Sequence, residues 1–226
     1  IKIFMINEFK RPLSLVEATM IGIRSLIISG QLLLGQQITE TFLQKSFGFS
    51  KTPIREALAQ LKAEGLVVAE VNKGFKVFKM DKKKLLEFCE YRLGLESEAL
   101  RISYKNNRLE LVRELKNTIK ESEESIKSND LEKYYLTDIK FHNSFFISSN
   151  RYLKNSYKNI NGIIETIRTR TGGVTVENIR LIDTVKSHIS ILKYIEEKNL
   201  NMALNELDKV INSWLDDSII KSRLPT

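Results

Sequence analysis

One run of sixteen residues, Ser50-Lys51-Thr52-Pro53-Ile54-Arg55-Glu56-Ala57-Leu58-Ala59-Gln60-Leu61-Lys62-Ala63-Glu64-Gly65, constrains the fold more than any other. Its apolar residues Ile54, Ala57, Leu58 and Leu61 recur at helical spacing and form one stripe. Ser50 or Thr52 offers a hydroxyl to cap the first turn. Pro53 is tolerated because it falls in that turn, where an N–H has no helical partner. Gly65 closes the helix as a residue at ease with positive φ. Lys51, Thr52 and Arg55 lie off the stripe near the N-terminal end, the part of a recognition helix that enters the DNA major groove. Taken alone, the same run is also an ordinary amphipathic surface helix, so its flanks decide.

Upstream, apolar spacing predicts a first helix over 15–28, and Thr39 caps a second, short helix carrying Phe42 and Leu43. Phe47-Gly48-Phe49 then turns into the run, giving two short helices with a glycine between them, a helix-turn-helix pattern. Downstream, residues 66–71 are rich in β-formers, Asn72-Lys73-Gly74 has hairpin-turn chemistry, and 75–78 alternates on the return. A hairpin directly after a helix-turn-helix is a wing. A decorative hairpin is the plainer reading, but Lys73 and Gly74 at the tip favour a nucleic-acid contact.

Charge points the same way. The net charge is +8, which suits a polyanionic partner. Residues 1–80 hold eleven basic and six acidic side chains, so this third of the chain carries most of the excess. Residues before Leu13, with Lys10 and Arg11, read as a basic arm. No apolar run approaches membrane-span length and no secretory signal pattern is visible. The lone cysteine, Cys89, fits a reducing cytoplasm.

Residues 14–78 resemble the winged helix-turn-helix of GntR-type transcription regulators. The likeness rests on Ile28-Ser29-Gly30, Leu34-Gly35-Gln36, Leu43, Phe47-Gly48, the 50–58 block, Leu61 through Gly65-Leu66-Val67, and Lys73-Gly74. It implies DNA contacts from Lys51, Thr52, Arg55, Lys73 and Gly74. Two residues depart from the family pattern: Leu34 stands where proline is usual, and Lys51 where arginine is usual. The second matters more, because lysine lacks the bidentate fork that reads guanine.

Beyond Met80, Asp81-Lys82-Lys83-Lys84 marks a junction. The chain divides there into a DNA-binding domain, 1–80, and an all-helical effector-binding and dimerisation domain, 81–226. The latter is expected to hold helices at 85–105, 109–128, 131–149, 153–170, 176–198 and 201–221, with Gly172-Gly173 breaking one run. The fold is thus mainly α, a winged helix-turn-helix followed by a six- or seven-helix bundle. Asp138 and His142 are four residues apart and share a helix face; His188 is the other histidine. One carboxylate and two imidazoles suit a divalent transition metal, although on spacing alone a buried Asp-His pair is more often purely structural.

This half resembles the ligand-binding domain of FadR-type GntR regulators, through Arg92-x-x-Leu95-Glu96, Asp138-x-x-x-His142, Asn150 and His188. That likeness implies a metal held by Asp138, His142 and His188, and a small carboxylate bound by Arg92 and Asn150. The family's third histidine falls at Val210, so zinc, nickel or manganese would have three protein ligands. It also implies a cytoplasmic homodimer that binds a palindromic operator of double-stranded DNA, a repressor released by an organic acid, and not an enzyme. Two alternatives stand beside it: a non-haem oxygenase-like metalloenzyme, whose ligand set is the same, and a ligand-free helical adaptor with an aliphatic interior. Trp214, Tyr134, Tyr135 and Tyr194 are expected to fill the core rather than line a pocket.

Overall fold

The structure, a computed structural model, describes residues 12–71, 73–171 and 179–215. The basic arm at Lys10 and Arg11, Asn72, the Gly172-Gly173 break, the expected helix start at Val176 and the last helix beyond Leu215 lie outside the described residues. The chain divides into two compact units, one of residues 1–27 and 31–78, the other of 28–30 and 79–226.

In the first unit, α1 spans Leu15–Ile28, α2 Glu40–Phe47 and α3 Lys51–Ala63. Thr39 caps α2 by accepting from the Phe42 N–H. The start of α3 differs from expectation: Ser50 takes the capping backbone position, but its hydroxyl makes no cap bond. The third helical residue is Pro53, which has no N–H to offer. The stripe is buried as expected, with Ile54, Ala57, Leu58 and Leu61 all at 0% exposure. Gly65 follows the helix at φ 75°, a conformation that costs an L-residue about 1 kcal/mol or more.

Strands β2 (Val67–Glu70) and β3 (Gly74–Val77) form the expected antiparallel hairpin, with Glu70 opposite Gly74. A third strand, β1 (Gln37–Ile38), lies before α2 and pairs with β3, so the sheet order is β1-β3-β2. Two residues are too few to show an alternating pattern, which is why β1 was not expected. Its anchor is Ile38, 1% exposed.

In the second unit, α4 runs Lys82–Lys127, α5 Leu131–Ser144, α6 Arg151–Thr171, α7 Ile179–Glu196 and α8 Leu200–Asn212, followed by a 3-10 turn at Ser213–Leu215. Two of the six expected helices are therefore one. The break is a kink at Asn107 (φ −156°, ψ 70°), where the Asn107 Oδ1 accepts from the Glu110 N–H and caps the second half. The third helix ends earlier than expected, at Ser144, and 145–149 continue as turns. Helix α4 packs on α5, α6, α7 and α8 and is the spine of the unit.

The buried stripe of the first half of α4 is unusual. It reads Leu85, Cys89, Arg92, Glu96, Ala99, Leu100 and Ser103, so a cation and an anion sit inside an otherwise apolar row. Cys89 is fully buried, its thiol directed at the Ile211 carbonyl and pushed by burial to a pKa of about 11.

Candidate functional site

On the first unit, the residues expected to touch DNA are all at the surface. Lys51, Thr52, Lys73 and Gly74 are exposed. Arg55 is exposed too, and its Nε donates to Glu40 Oε1 at 2.7 Å, a bridge from α3 to the first turn of α2. That bond uses one of the guanidinium's five N–H donors. Gly74 has φ +82°, which a side chain adopts only under strain, so its glycine is required by the turn itself. Beside it, Gln37 donates its side-chain amide to the Lys73 carbonyl, tying β1 to the hairpin tip.

In the second unit, the α4 stripe turns its charged pair into the core. Glu96 is the hub. Its Oε1 accepts from Arg92 Nε at 2.5 Å and from the Tyr157 hydroxyl at 2.8 Å, and its Oε2 meets His142 Nδ1 at 2.7 Å. Burial is the largest single influence and pushes this carboxyl up, but Arg92 and His142, with their hydrogen bonds, together outweigh it and hold the carboxyl at about 2. An ionised Glu96 has no proton to give, so His142 Nδ1 carries the hydrogen and its Nε2 is left as a lone pair.

Asp138, one helical turn before His142 on α5, pairs with Arg168 Nε through Oδ2. Its other oxygen, Oδ1, lies 3.5 Å from His188 Nε2 of α7. The His188 ring stacks on Phe141, centroids 3.7 Å apart and planes 11° from parallel, which fixes its orientation. Burial depresses the His188 pKa to about 3 and lowers that of His142, so both rings are neutral at neutral pH. The ligating atoms of Asp138, His142 and His188 all lie within 4.8 Å of one another.

Asp138 and His142 line a cavity of about 50 Å³ together with Arg92, Arg168, Tyr134, Tyr135, Thr184, Val210 and Trp214. Among the described residues, four buried polar side-chain atoms have no hydrogen-bond partner: Arg92 Nη2, Arg168 Nη1, Asp138 Oδ1 and His188 Nε2. Each such atom left unsatisfied costs about 1–3 kcal/mol, more if charged. Three belong to residues that line this cavity, and the fourth, His188 Nε2, stands 3.5 Å from Asp138 Oδ1 at its edge.

The donor set fits a divalent metal. Two neutral imidazoles and one carboxylate are suitable ligands. The hydrogen bond from His142 to Glu96 is the orienting contact that metal-bound histidines usually have. Asp138 keeps one oxygen free while Arg168 holds the other. Val210 lines the cavity and offers no ligand atom, so α8 contributes none from that position.

Two expectations are corrected. Asn150 does not join Arg92: it is exposed, and its Oδ1 accepts from the N–H groups of Tyr152 and Leu153, so it caps α6. Tyr134, Tyr135 and Trp214 line the cavity and are not merely core, although Tyr134 also packs with Leu181 and Val185; Trp214 covers the Arg92 guanidinium at 4.4 Å. Tyr194 is half-buried and does not line this cavity.

Arg168, Tyr157 and the hub role of Glu96 were not anticipated. Their signal was present, since Tyr157, Ile160, Ile164, Ile167 and Arg168 follow helical spacing, and a charge on an apolar stripe marks a buried ion pair.

Comparison with known proteins gives the arrangement its family. Residues 16–77 match the gntR family of bacterial regulatory proteins, and residues 87–212 match the FCD domain. The chain belongs to the GntR family. An uncharacterised HTH-type transcriptional regulator of Bacillus subtilis (strain 168), YdhC, is 31% identical over 186 residues, 80% of each chain. The gluconate operon transcriptional repressor of the same organism is 24% identical, over 88% of this chain and 86% of the relative. Among solved structures, E. coli McbR/YncC shares the fold at a TM-score of 0.72 and 18% identity, covering 89% of this chain and 95% of that one.

This GntR regulator is therefore a DNA-binding transcription regulator with a mainly helical fold. GntR proteins regulate transcription and are not enzymes, which disfavours the oxygenase alternative. The adaptor alternative needed an aliphatic interior, whereas the cavity is lined by arginine, aspartate and histidine. No helix among the described residues is long and apolar enough to cross a membrane.

Proposed function

We propose that this GntR regulator is a metabolite-released repressor of a catabolic or transport operon. Its second unit binds a small organic acid beside a divalent metal held by Asp138, His142 and His188. Arg92 supplies a donor to the acid. The observation that carries this reading is the set of four unpartnered buried atoms, three on residues lining one cavity and the fourth, on His188, beside Asp138, two of them guanidinium N–H groups suited to a carboxylate. The bound metal would supply a Lewis-acid anchor for the acid. The repressor reading draws support from the names of two relatives, the gluconate operon repressor and a probable D-xylose utilisation operon repressor of Paenarthrobacter nicotinovorans.

As a homodimer, the protein presents two α3 helices to the half-sites of a palindromic operator, where Lys51, Thr52 and Arg55 meet bases or phosphates and Lys73 and Gly74 lie against the backbone. Acid binding releases DNA because the acid favours one of two arrangements of the dimer.

The test starts with a duplex selected by the protein from a random pool. Anisotropy of that duplex is then followed while carboxylates are titrated with and without zinc. Release by a carboxylate that also raises the melting midpoint supports the reading. If every compound that stabilises the protein leaves the DNA affinity unchanged, the cavity is not the effector site.

A further inference from the structure

The cavity is charge-balanced by its own residues. Arg92 is paired with Glu96, and Arg168 with Asp138, giving two cations and two anions, all buried. As metal ligands the two histidines add no charge of their own, because a metal takes the neutral imidazole. A divalent ion entering alone would leave two positive charges unmatched in a site with little water, and a dianion alone would leave two negative ones. Either imbalance is costly in a poorly solvated interior.

The unpartnered atoms divide in the same way. Arg92 Nη2 and Arg168 Nη1 can only donate, so they require an acceptor. Asp138 Oδ1 can only accept and requires a cation or a donor. His188 Nε2 stands beside it, with the neutral imidazole that metals take. No single simple ion satisfies both groups.

Resting on the metal-and-acid reading above, we propose that the metal and the acid enter as one neutral pair. The acid is a compact dianion with two acidic groups, and Arg168 makes the binding of each partner depend on the other. Arg168 does this in two ways. It neutralises Asp138, which lowers the attraction of the empty site for a cation. It also directs a free N–H of α6 at the cavity, as Arg92 does from α4, so a second anionic group on the acid has its own donor. A monocarboxylate fills one of these positions and leaves a positive charge uncompensated. The coupling is reciprocal by thermodynamic necessity.

The experiment uses full-length, chelator-stripped protein at a buffered free zinc concentration. Melting midpoints and zinc titrations are recorded alone, with malonate, and with acetate. The expected result is a midpoint rise for zinc plus malonate larger than the sum of the two separate rises. Zinc affinity should rise about tenfold or more with malonate, within the usual range for coupled sites, and clearly less with acetate.

Arg168→Gln removes the cation and keeps an amide donor. Zinc alone should then bind more tightly than to the parent protein, while the added effect of malonate shrinks. Arg168→Lys keeps the charge and should retain the coupling. A residue that is only structural would not tighten zinc binding when replaced.

Additive zinc and malonate shifts, acetate matching malonate, or weaker zinc binding in Arg168→Gln would overturn the coupling while leaving the metal-and-acid site itself intact. No shift with zinc, malonate or both would defeat the site and the coupling together.

Discussion

At the scale of single residues, the protein separates positions that read a ligand from positions that hold the backbone. In the proposed DNA complex, Arg55 belongs to the first kind. Arg55→Ala should lower affinity for the selected operator by about 1–3 kcal/mol, the range for one base contact, without moving the melting midpoint. An unchanged footprint would remove α3 from the interface. Gly74 belongs to the second. Its φ of +82° means that Gly74→Ala strains the turn by about 1 kcal/mol, so any loss of DNA binding there should be accompanied by loss of stability. Lys73→Ala, at an exposed neighbour, should weaken binding to all sequences alike and reduce its salt dependence. These three substitutions distinguish base reading, turn geometry and phosphate attraction.

At the scale of elements, periodicity made most of the fold legible. The stripe of α3, the Thr39 cap and the α5 pairing of Asp138 with His142 are local patterns, and each is found in the structure. Features set by tertiary context were not legible. Strand β1 exists because β3 offers an edge, and Asn150 was assigned to a ligand although its nearest task is to begin α6. Arg168 was not singled out, although its place on the Tyr157–Ile164 stripe puts it inside. The kink in α4 gives an element-level expectation. Asn107→Ala removes the Oδ1 cap on the Glu110 N–H and should cost about 1 kcal/mol, measurable as a shift in urea midpoint. Leu58→Ala, by contrast, empties a fully buried position of α3 and should cost about 2–5 kcal/mol.

At the scale of the whole molecule, the buried cavity makes stability depend on pH in a definite direction. His188 has a folded pKa of about 3, against 6.5 for the free group, so the unfolded chain takes up its proton first as pH falls. The metal-free protein should therefore lose stability from pH 6.5 downward, at a slope approaching about 1.4 kcal/mol per pH unit for this one ring. Glu96 acts in a lower window: its contribution is present above its ordinary value of 4.5 and is lost as pH falls toward about 2. Urea midpoints at pH 7 and pH 5 check the histidine part. The drop should be smaller in His188→Gln, and equal drops in both proteins would mean that the ring is not held neutral.

Cys89 settles a practical matter. Its thiol is inside the bundle against Ile211 and stays protonated far above neutral pH, so maleimides should ignore the native protein. A cysteine placed at the exposed Lys51 position would then be the one site to accept a dye. In a two-fold assembly it would appear twice, once on each recognition helix. Energy transfer between the two dyes would follow the helices directly as acids and metals are added, with no need to know the operator.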